Sequence, residues 1–150
     1  MAPTFEENDF IIVDKITPRF SDLKRWDVIV FVPPGKTIPY IKRIVWLPGE
    51  TIKIKRNTVS VCTTENSVEQ CTILDEKYLT WSVQTEWRCW ISEFVIDDWG
   101  LFVMWDNRWF STDSRCCFWL DCYEGSSYEV PYDHIIGKVY VRFFPHFQTF

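Results

Sequence analysis

Short segments rich in Val, Ile and aromatic residues, separated by Pro, Gly, Asn and Asp, most limit what this chain can fold into. They are FIIVD (10–14), DVIVFV (27–32), IPYIKRIVW (38–46), TIKIK (51–55), NTVSV (57–61), LFVMW (101–105) and IIGKVYVRFF (135–144). β-branched and aromatic residues favour strands, and the turn-forming residues between the segments end each strand. No segment carries a long helical period, so the sequence predicts a mostly β domain with several short strands.

Length and charge narrow the class of protein further. The 150 residues are enough for one domain with a substantial core. The net charge of −5 does not indicate a nucleic-acid-binding surface. The sequence contains no apolar run long enough for a transmembrane helix, which needs about 18 residues or more, and no recognisable signal peptide.

Residues 62–98 differ from the segments on either side because they are more polar and lack a clear strand pattern. We therefore expect a β core formed by residues 1–61 and 99–150, with 62–98 as an irregular insertion between the two parts.

The six cysteines do not form the paired Cys-x-x-Cys pattern of a zinc site, so no metal centre is predicted. Cys62 and Cys71 flank a polar stretch that a disulfide could close, and Cys116 or Cys117 is close enough in sequence to Cys122 for a second one. Free, partly buried thiols are the alternative, and an oxidising compartment would favour the disulfides.

Three further segments stand out, in this order along the chain: MAPTF (1–5), YIKRIVWLPGE (40–50) and VMWDNRWFSTDSR (103–115). Each is weak alone, since a strand lysine is usually exposed and an Asp-x-Arg pair is usually a surface ion pair. Together, in this order and spacing, they resemble the type I signal peptidase family, whose closing strand is also similar to residues 135–145. The matching residues are Met1, Pro3, Thr4, Arg25, Asp27, Lys42, Arg43, Leu47, Pro48, Gly49, Asp106, Asn107, Arg108, Ser111, Asp113, Ser114 and Arg115.

The resemblance implies both a fold and an activity. The expected fold is a mostly β, signal-peptidase/LexA-like β-barrel-type catalytic core with a smaller irregular insertion. The expected activity is that of a serine endopeptidase with a Ser–Lys dyad, which removes N-terminal signal peptides from exported preproteins after small residues of the Ala-x-Ala type. The expected location is the cell membrane, with the catalytic domain on the extracytoplasmic face. The implied partners are signal peptides and the membrane surface; a monomer is expected, with no metal, cofactor or nucleic acid.

The central residue of the implied site is Lys42. A lysine amine can accept a proton near neutral pH only if burial lowers its pKa, and apolar residues flank Lys42 on its predicted strand. By resemblance, Lys42 is the general base and Ser111 orients its amine. Residues implied to support the site are Arg43, Asp106, Asn107, Arg108, Asp113 and Arg115. Residues implied to line the substrate pockets are Met1, Phe5, Tyr40 and Ile41.

The family's nucleophilic serine comes directly before the methionine that corresponds to Met1. We therefore expect the 150 residues alone to be inactive, and Met1 to be an internal residue of a longer, membrane-anchored protein. A non-catalytic peptide-binding homologue of the same fold is the alternative, although it would not need to retain Lys42 and Ser111. A self-cleaving repressor with a Ser–Lys dyad is a third possibility, but such proteins lack the segment 106–115.

Trp26, Trp46 and Trp105 occupy positions where the family has glycine, a residue that permits positive φ and close backbone approach. One interpretation is that these codons are UGA, which some bacteria read as glycine and other genetic codes read as tryptophan. The three side chains would then be strained or unusually exposed. The alternative is that they are genuine tryptophans, a residue enriched at membrane interfaces. UGG codons at these positions would rule out the first interpretation.

Overall fold

The chain folds mostly into short antiparallel strands, as its sequence predicts. The computed structural model describes residues 1–19, 23–55, 57–65, 67–79, 83, 85–86, 89–109 and 112–150. The strands are β1 (Phe10–Asp14), β2 (Val28–Phe31), β3 (Tyr40–Trp46), β4 (Thr51–Lys55), β5 (Thr58–Glu65), β6 (Val68–Ile73), β7 (Glu93–Val95), β8 (Gly100–Met104), β9 (Val130–Pro131), β10 (Ile135–Phe144) and β11 (Gln148–Thr149). Short 3₁₀ helices span Thr17–Arg19, Ser114–Cys116 and Tyr132–His134. No helix in the described part of the chain is long and apolar enough to span a membrane.

The larger sheet positions the residues of the predicted site. Its strand order is β1–β10–β2–β3–β8–β9, and β11 pairs with β10. On β3, Lys42 lies opposite Ile29 of β2, while Arg43 lies opposite Met104 of β8. Because successive residues on a strand point to opposite faces of the sheet, Lys42 and Arg43 leave β3 on opposite sides.

The smaller sheet has the order β6–β5–β4–β7 and combines strands from both sides of the boundary expected at residue 61. That boundary falls inside β5, because the strand continues to Glu65 and then pairs with β6. Part of the stretch expected to be irregular therefore forms a regular hairpin, in which Ser67 adopts a φ of +65° at the turn. The alternating Val, Thr and Ile residues of this stretch fit a strand once a partner strand is present.

The core is divided into three clusters, and β3 and β8 contribute to both larger ones. The first cluster lies between these strands and the smaller sheet, where the fully buried Trp46 ring packs edge-on against Phe102 with the ring centroids 5.3 Å apart. The second contains Ile44 and Val103. The third joins Met1 and Phe5 to the larger sheet. Both faces of β3 are therefore covered from Lys42 to Trp46, so these five side chains are kept away from water.

Three disulfides cross-link the described residues. Cys62–Cys71 and Cys117–Cys122 are two of the pairs that the sequence allowed. The third, Cys89–Cys116, was not predicted, and it connects the insertion to the 3₁₀ helix that follows Asp113.

Removing the Cys89–Cys116 disulfide is expected to destabilise the domain more than removing Cys117–Cys122. The two bridges span 27 and 5 residues of sequence, and a bridge that closes a longer loop restricts the unfolded chain more strongly. Loop-closure entropy gives losses of about 3.5 kcal/mol for the C89S/C116S variant and about 2 kcal/mol for C117S/C122S. Urea unfolding of the two double variants measures this difference, and equal losses would contradict it.

Candidate active site

The Lys42 side chain is buried in the larger sheet, with only 6% of its surface exposed. Its Nζ lies 4.5 Å from the centroid of the Trp105 ring and 5.1 Å from that of Tyr40. Loss of hydration lowers the pKa of Lys42 from 10.5 to about 8, and the negative charges of Asp113 and Asp106 partly oppose this change. The amine is therefore half deprotonated at a weakly alkaline pH and can accept a proton there.

The backbone of Met1 lies beside this amine. Burial lowers the pKa of the Met1 amino group to about 6, and repulsion from Lys42 contributes to the change. The Met1 side chain is itself buried, in the cluster with Phe5, Val28 and Val139. The first residues of the sequence are thus packed on the larger sheet, close enough to Lys42 for its charge to act on Met1.

An apolar cleft opens next to this position. It has a volume of about 440 Å³ and is lined by Met1, Ala2, Phe5, Ile11, Ile41 and Trp105, together with the acidic residues Glu6, Glu7 and Asp9. Three of the four residues expected to contact substrate therefore meet at one cleft. The fourth, Tyr40, is not among its lining residues, since its ring packs against Phe31 with the ring centroids 6.5 Å apart.

A buried ion pair joins β3 to the turn that follows β8. Arg43 donates from Nε and Nη2 to the two carboxylate oxygens of Asp106, at 3.0 and 2.8 Å. Its Nη1 donates to the Trp26 carbonyl at 2.8 Å. Asp106 also accepts a hydrogen bond from the Thr4 hydroxyl. The pair therefore connects the N-terminal segment to the rest of the site.

A second buried ion pair forms between Asp113 and Arg115, whose side chains have no exposed surface. Arg115 donates from Nε and Nη2 to the Asp113 carboxylate, at 3.0 Å each. The backbone N–H of Trp105 donates to the same carboxylate at 3.1 Å. These bonds fix the negative charge that acts most strongly on Lys42.

Arg108 is fully buried and takes its ionic partner from the insertion. Its Nη2 donates to Glu76 at 2.5 Å and to the Tyr78 hydroxyl at 2.8 Å. Sequence reasoning missed both partners, because they belong to the stretch that matches the family least. Asn107 is half-buried in the same turn. Ser111 lies outside the described residues, so its role toward Lys42 stays a prediction.

The three tryptophans at expected glycine positions differ from one another. Trp26 has a φ of +77°, in the left-handed region that favours glycine. Trp46 is fully buried and well packed, contrary to the expectation of a strained or exposed side chain, although no partner is described for its Nε1–H. Trp105 is half-buried over Lys42, and its Nε1–H also has no partner among the described residues. Trp26 therefore has the backbone conformation that a glycine would explain.

The pKa of Lys42 can be measured directly on this chain. We expect competitive acetylation with trace acetic anhydride, followed by mass spectrometry, to give a midpoint near pH 8 for Lys42, because its ammonium form is poorly hydrated. Lys55, whose side chain is exposed at the end of β4, is the matched control. Equal midpoints for the two lysines would contradict the proposed environment of Lys42.

Comparison with solved structures identifies the type of fold. A signal peptidase I from Enterococcus faecalis V583 matches 79% of this chain and 97% of its own, with a TM-score of 0.54 and 23% sequence identity. The mostly β architecture is therefore that of a signal peptidase I.

Sequence comparisons then identify the family. The sequence profile of the family "Signal peptidase, peptidase S26" matches residues 1–144. A signal peptidase I of Leptolyngbya laminosa is 35% identical over 97% of this chain, and a probable signal peptidase I-2 of Synechocystis is 30% identical over the same share. The chain belongs to the signal peptidase family, peptidase S26. It spans 64% and 59% of the lengths of these two relatives.

Proposed function

We propose that the full-length gene product is a membrane-associated serine endopeptidase that removes N-terminal signal peptides from exported preproteins. The observation that carries this proposal is the buried amine of Lys42, whose pKa is lowered to about 8, beside the backbone of Met1. Family membership supports the same reaction. A serine directly before Met1, where the family has its nucleophile, would meet the amine that must activate it.

The proposed reaction uses Lys42 as a proton carrier. The neutral amine accepts the proton of the serine hydroxyl as the serine oxygen attacks the carbonyl carbon of the scissile peptide bond. Backbone N–H groups stabilise the oxyanion of the tetrahedral intermediate. When the C–N bond breaks, the Lys42 ammonium donates its proton to the leaving amine, and an acyl-enzyme remains. Lys42 then takes a proton from water, which attacks the ester, and returns that proton to the serine oxygen as the signal peptide leaves.

The proposed preference for small substrate residues rests on the cleft beside Met1. Its exposed surface is mostly apolar, with Phe5, Ile41 and Trp105 among its lining residues, and acidic side chains also line it. An alanine side chain fits such a site without needing a polar partner. The peptide would bind in an extended conformation, with its backbone hydrogen-bonded to an exposed strand edge.

The proposed location at the extracytoplasmic face of the membrane rests on two features. The three disulfides favour an oxidising compartment. In addition, an exposed apolar patch runs along β1 and the end of β10, and large patches of this kind mark contact surfaces. The ring of Phe10 lies 5.9 Å from those of Phe143 and Phe144, and Ile12 and Phe147, close to them in sequence, are also exposed.

Cleavage of a synthetic preprotein peptide by the full-length gene product tests the proposal. The peptide should contain one Ala-x-Ala sequence, and mass spectrometry should find a single cut after its last alanine. A K42M variant should leave the peptide intact. Binding without cleavage would instead support a non-catalytic peptide-binding homologue, and cleavage by K42M would exclude Lys42 as the base.

A further inference from the structure

We propose that Glu76 and Tyr78, in the insertion, are positioning residues of the active site: Glu76 supplies the buried counter-charge of Arg108, and Tyr78 covers the Arg43 guanidinium that holds Asp106 against Thr4. The role of Tyr78, which is tested by kinetics, rests on the proposed function; the role of Glu76 is tested without a substrate. Together, these roles give the insertion a part in the chemistry of the site, beyond its contribution to the smaller sheet.

The charge of Arg108 is balanced by Glu76. A fully buried guanidinium is costly unless a carboxylate and hydrogen-bond acceptors surround it. Glu76 meets this need at 2.5 Å, with 11% of its side chain exposed, and Arg108 lies only two residues after Asp106. Asp106 and Asp113 already have their own arginine partners, Arg43 and Arg115. Without the Glu76 charge, Arg108 would therefore place an unbalanced positive charge inside the site.

Tyr78 lies between the two buried arginines Arg43 and Arg108. Its ring centroid lies 4.1 Å from Cζ of Arg43, so the ring stacks on the guanidinium and shields it from water. The Tyr78 hydroxyl donates to Glu76 at 2.5 Å and accepts from Arg108 at 2.8 Å. The same side chain thus contacts both buried arginines and fixes them relative to each other.

The contacts of Arg43 extend through Asp106 to the N-terminal segment beside Lys42. Arg43 holds both oxygens of Asp106, and Asp106 accepts the hydroxyl of Thr4. Thr4 belongs to the segment whose first residue lies beside Lys42. A shift of Arg43 would therefore move the N-terminal segment and displace Asp106, whose charge acts on Lys42 together with that of Asp113.

The Glu76 half of the proposal is tested on the pKa of Lys42, which requires no substrate. Removing a buried negative charge raises the electrostatic potential in the site and disfavours the ammonium form. We therefore expect E76Q to lower the pKa of Lys42 by roughly half a unit in competitive acetylation. The matched control is D75N, which removes the same charge one residue earlier, where Asp75 pairs with Lys77 at the exposed surface. E76D, which keeps the charge, should restore the value of the unaltered protein.

Folded E76Q with an unchanged Lys42 pKa would overturn the proposal, as would an equal shift in D75N. A role limited to stability would lower the melting temperature of E76Q without moving this pKa.

The positioning role of Tyr78 is tested by kinetics on the full-length gene product. If E76Q does not fold, this measurement alone tests the proposal. We expect Y78L to lower kcat at least about tenfold with KM nearly unchanged, because the reacting groups are displaced while the cleft is intact. Y78F, which keeps the ring over Arg43, should lose less than about threefold. Y140L, at an exposed tyrosine of β10, is the matched control and should be unaffected.

Equal losses in Y78L and Y78F, or a loss confined to KM, would overturn the positioning role. A full-length protein that cleaves no signal peptide would instead overturn the proposed function, leaving the acetylation result to judge Glu76.

Discussion

Replacing Lys42 with methionine is expected to lower kcat for signal-peptide cleavage by at least about 10³-fold, because the variant lacks the amine proposed to accept the serine proton. Methionine keeps the length and apolar stem of the side chain, so the sheet around it should be preserved. The measurement is the cleavage rate of the full-length gene product on a peptide substrate. K55M, which removes an exposed strand lysine, is the control and should retain full activity.

The same substitution is expected to stabilise the folded protein in a pH-dependent way. Below pH 8, Lys42 is charged in both states, and the folded state carries the full cost of burying the ammonium. A shift from 10.5 to about 8 corresponds to ~3 kcal/mol, which K42M should gain below pH 8. Between pH 8 and 10.5 the unfolded chain binds more protons than the native one, so the unaltered protein becomes more stable and the gain disappears. A gain that does not change with pH would contradict the lowered pKa.

Replacing Arg115 with methionine is expected to reduce the free energy of unfolding by about 3–5 kcal/mol, the second large effect. Asp113 would then hold a buried carboxylate without its ionic partner, and an uncompensated charge of this kind is strongly destabilising. The same change should raise the pKa of Lys42, since the Arg115 charge would no longer offset that of Asp113, which favours the ammonium. Urea unfolding and competitive acetylation measure the two effects on one sample.

Two further variants show whether the loss in R115M comes from the buried charge or from packing. K77M breaks an ion pair at the exposed surface and should change stability by less than about 0.5 kcal/mol. The double variant D113N/R115M removes both buried charges and should recover part of the loss, because no unpaired charge remains. No recovery in the double variant would show that packing, not charge, accounts for the effect.

Most of the fold could be predicted because its strands are short, apolar and separated by turn residues. Residues 40–46 form a strand as expected, and the apolar neighbours of Lys42 correctly indicated a buried amine. Local sequence is sufficient for these features, since strand formation and alternation depend on residues close to one another.

The contacts of the insertion could not be predicted in this way. Cys89 bonds to Cys116 and Glu76 to Arg108, across 27 and 32 residues of sequence, and no local pattern indicates such pairs. The hairpin formed by β5 and β6 was missed because its polar residues resemble a loop until the partner strand is considered. In each case the missing information is long-range pairing, which a single sequence does not contain.

The register of β3 also limits how this gene can change. Lys42 and Arg43 are adjacent on one strand but point to opposite faces. The Lys42 amine lies by the Trp105 ring, whereas the Arg43 guanidinium bonds to Asp106. Insertion or deletion of a single codon just before them would exchange the two side chains between these environments. Length variation in this protein should therefore be tolerated in the turns that join its strands, and selected against within the seven codons of β3.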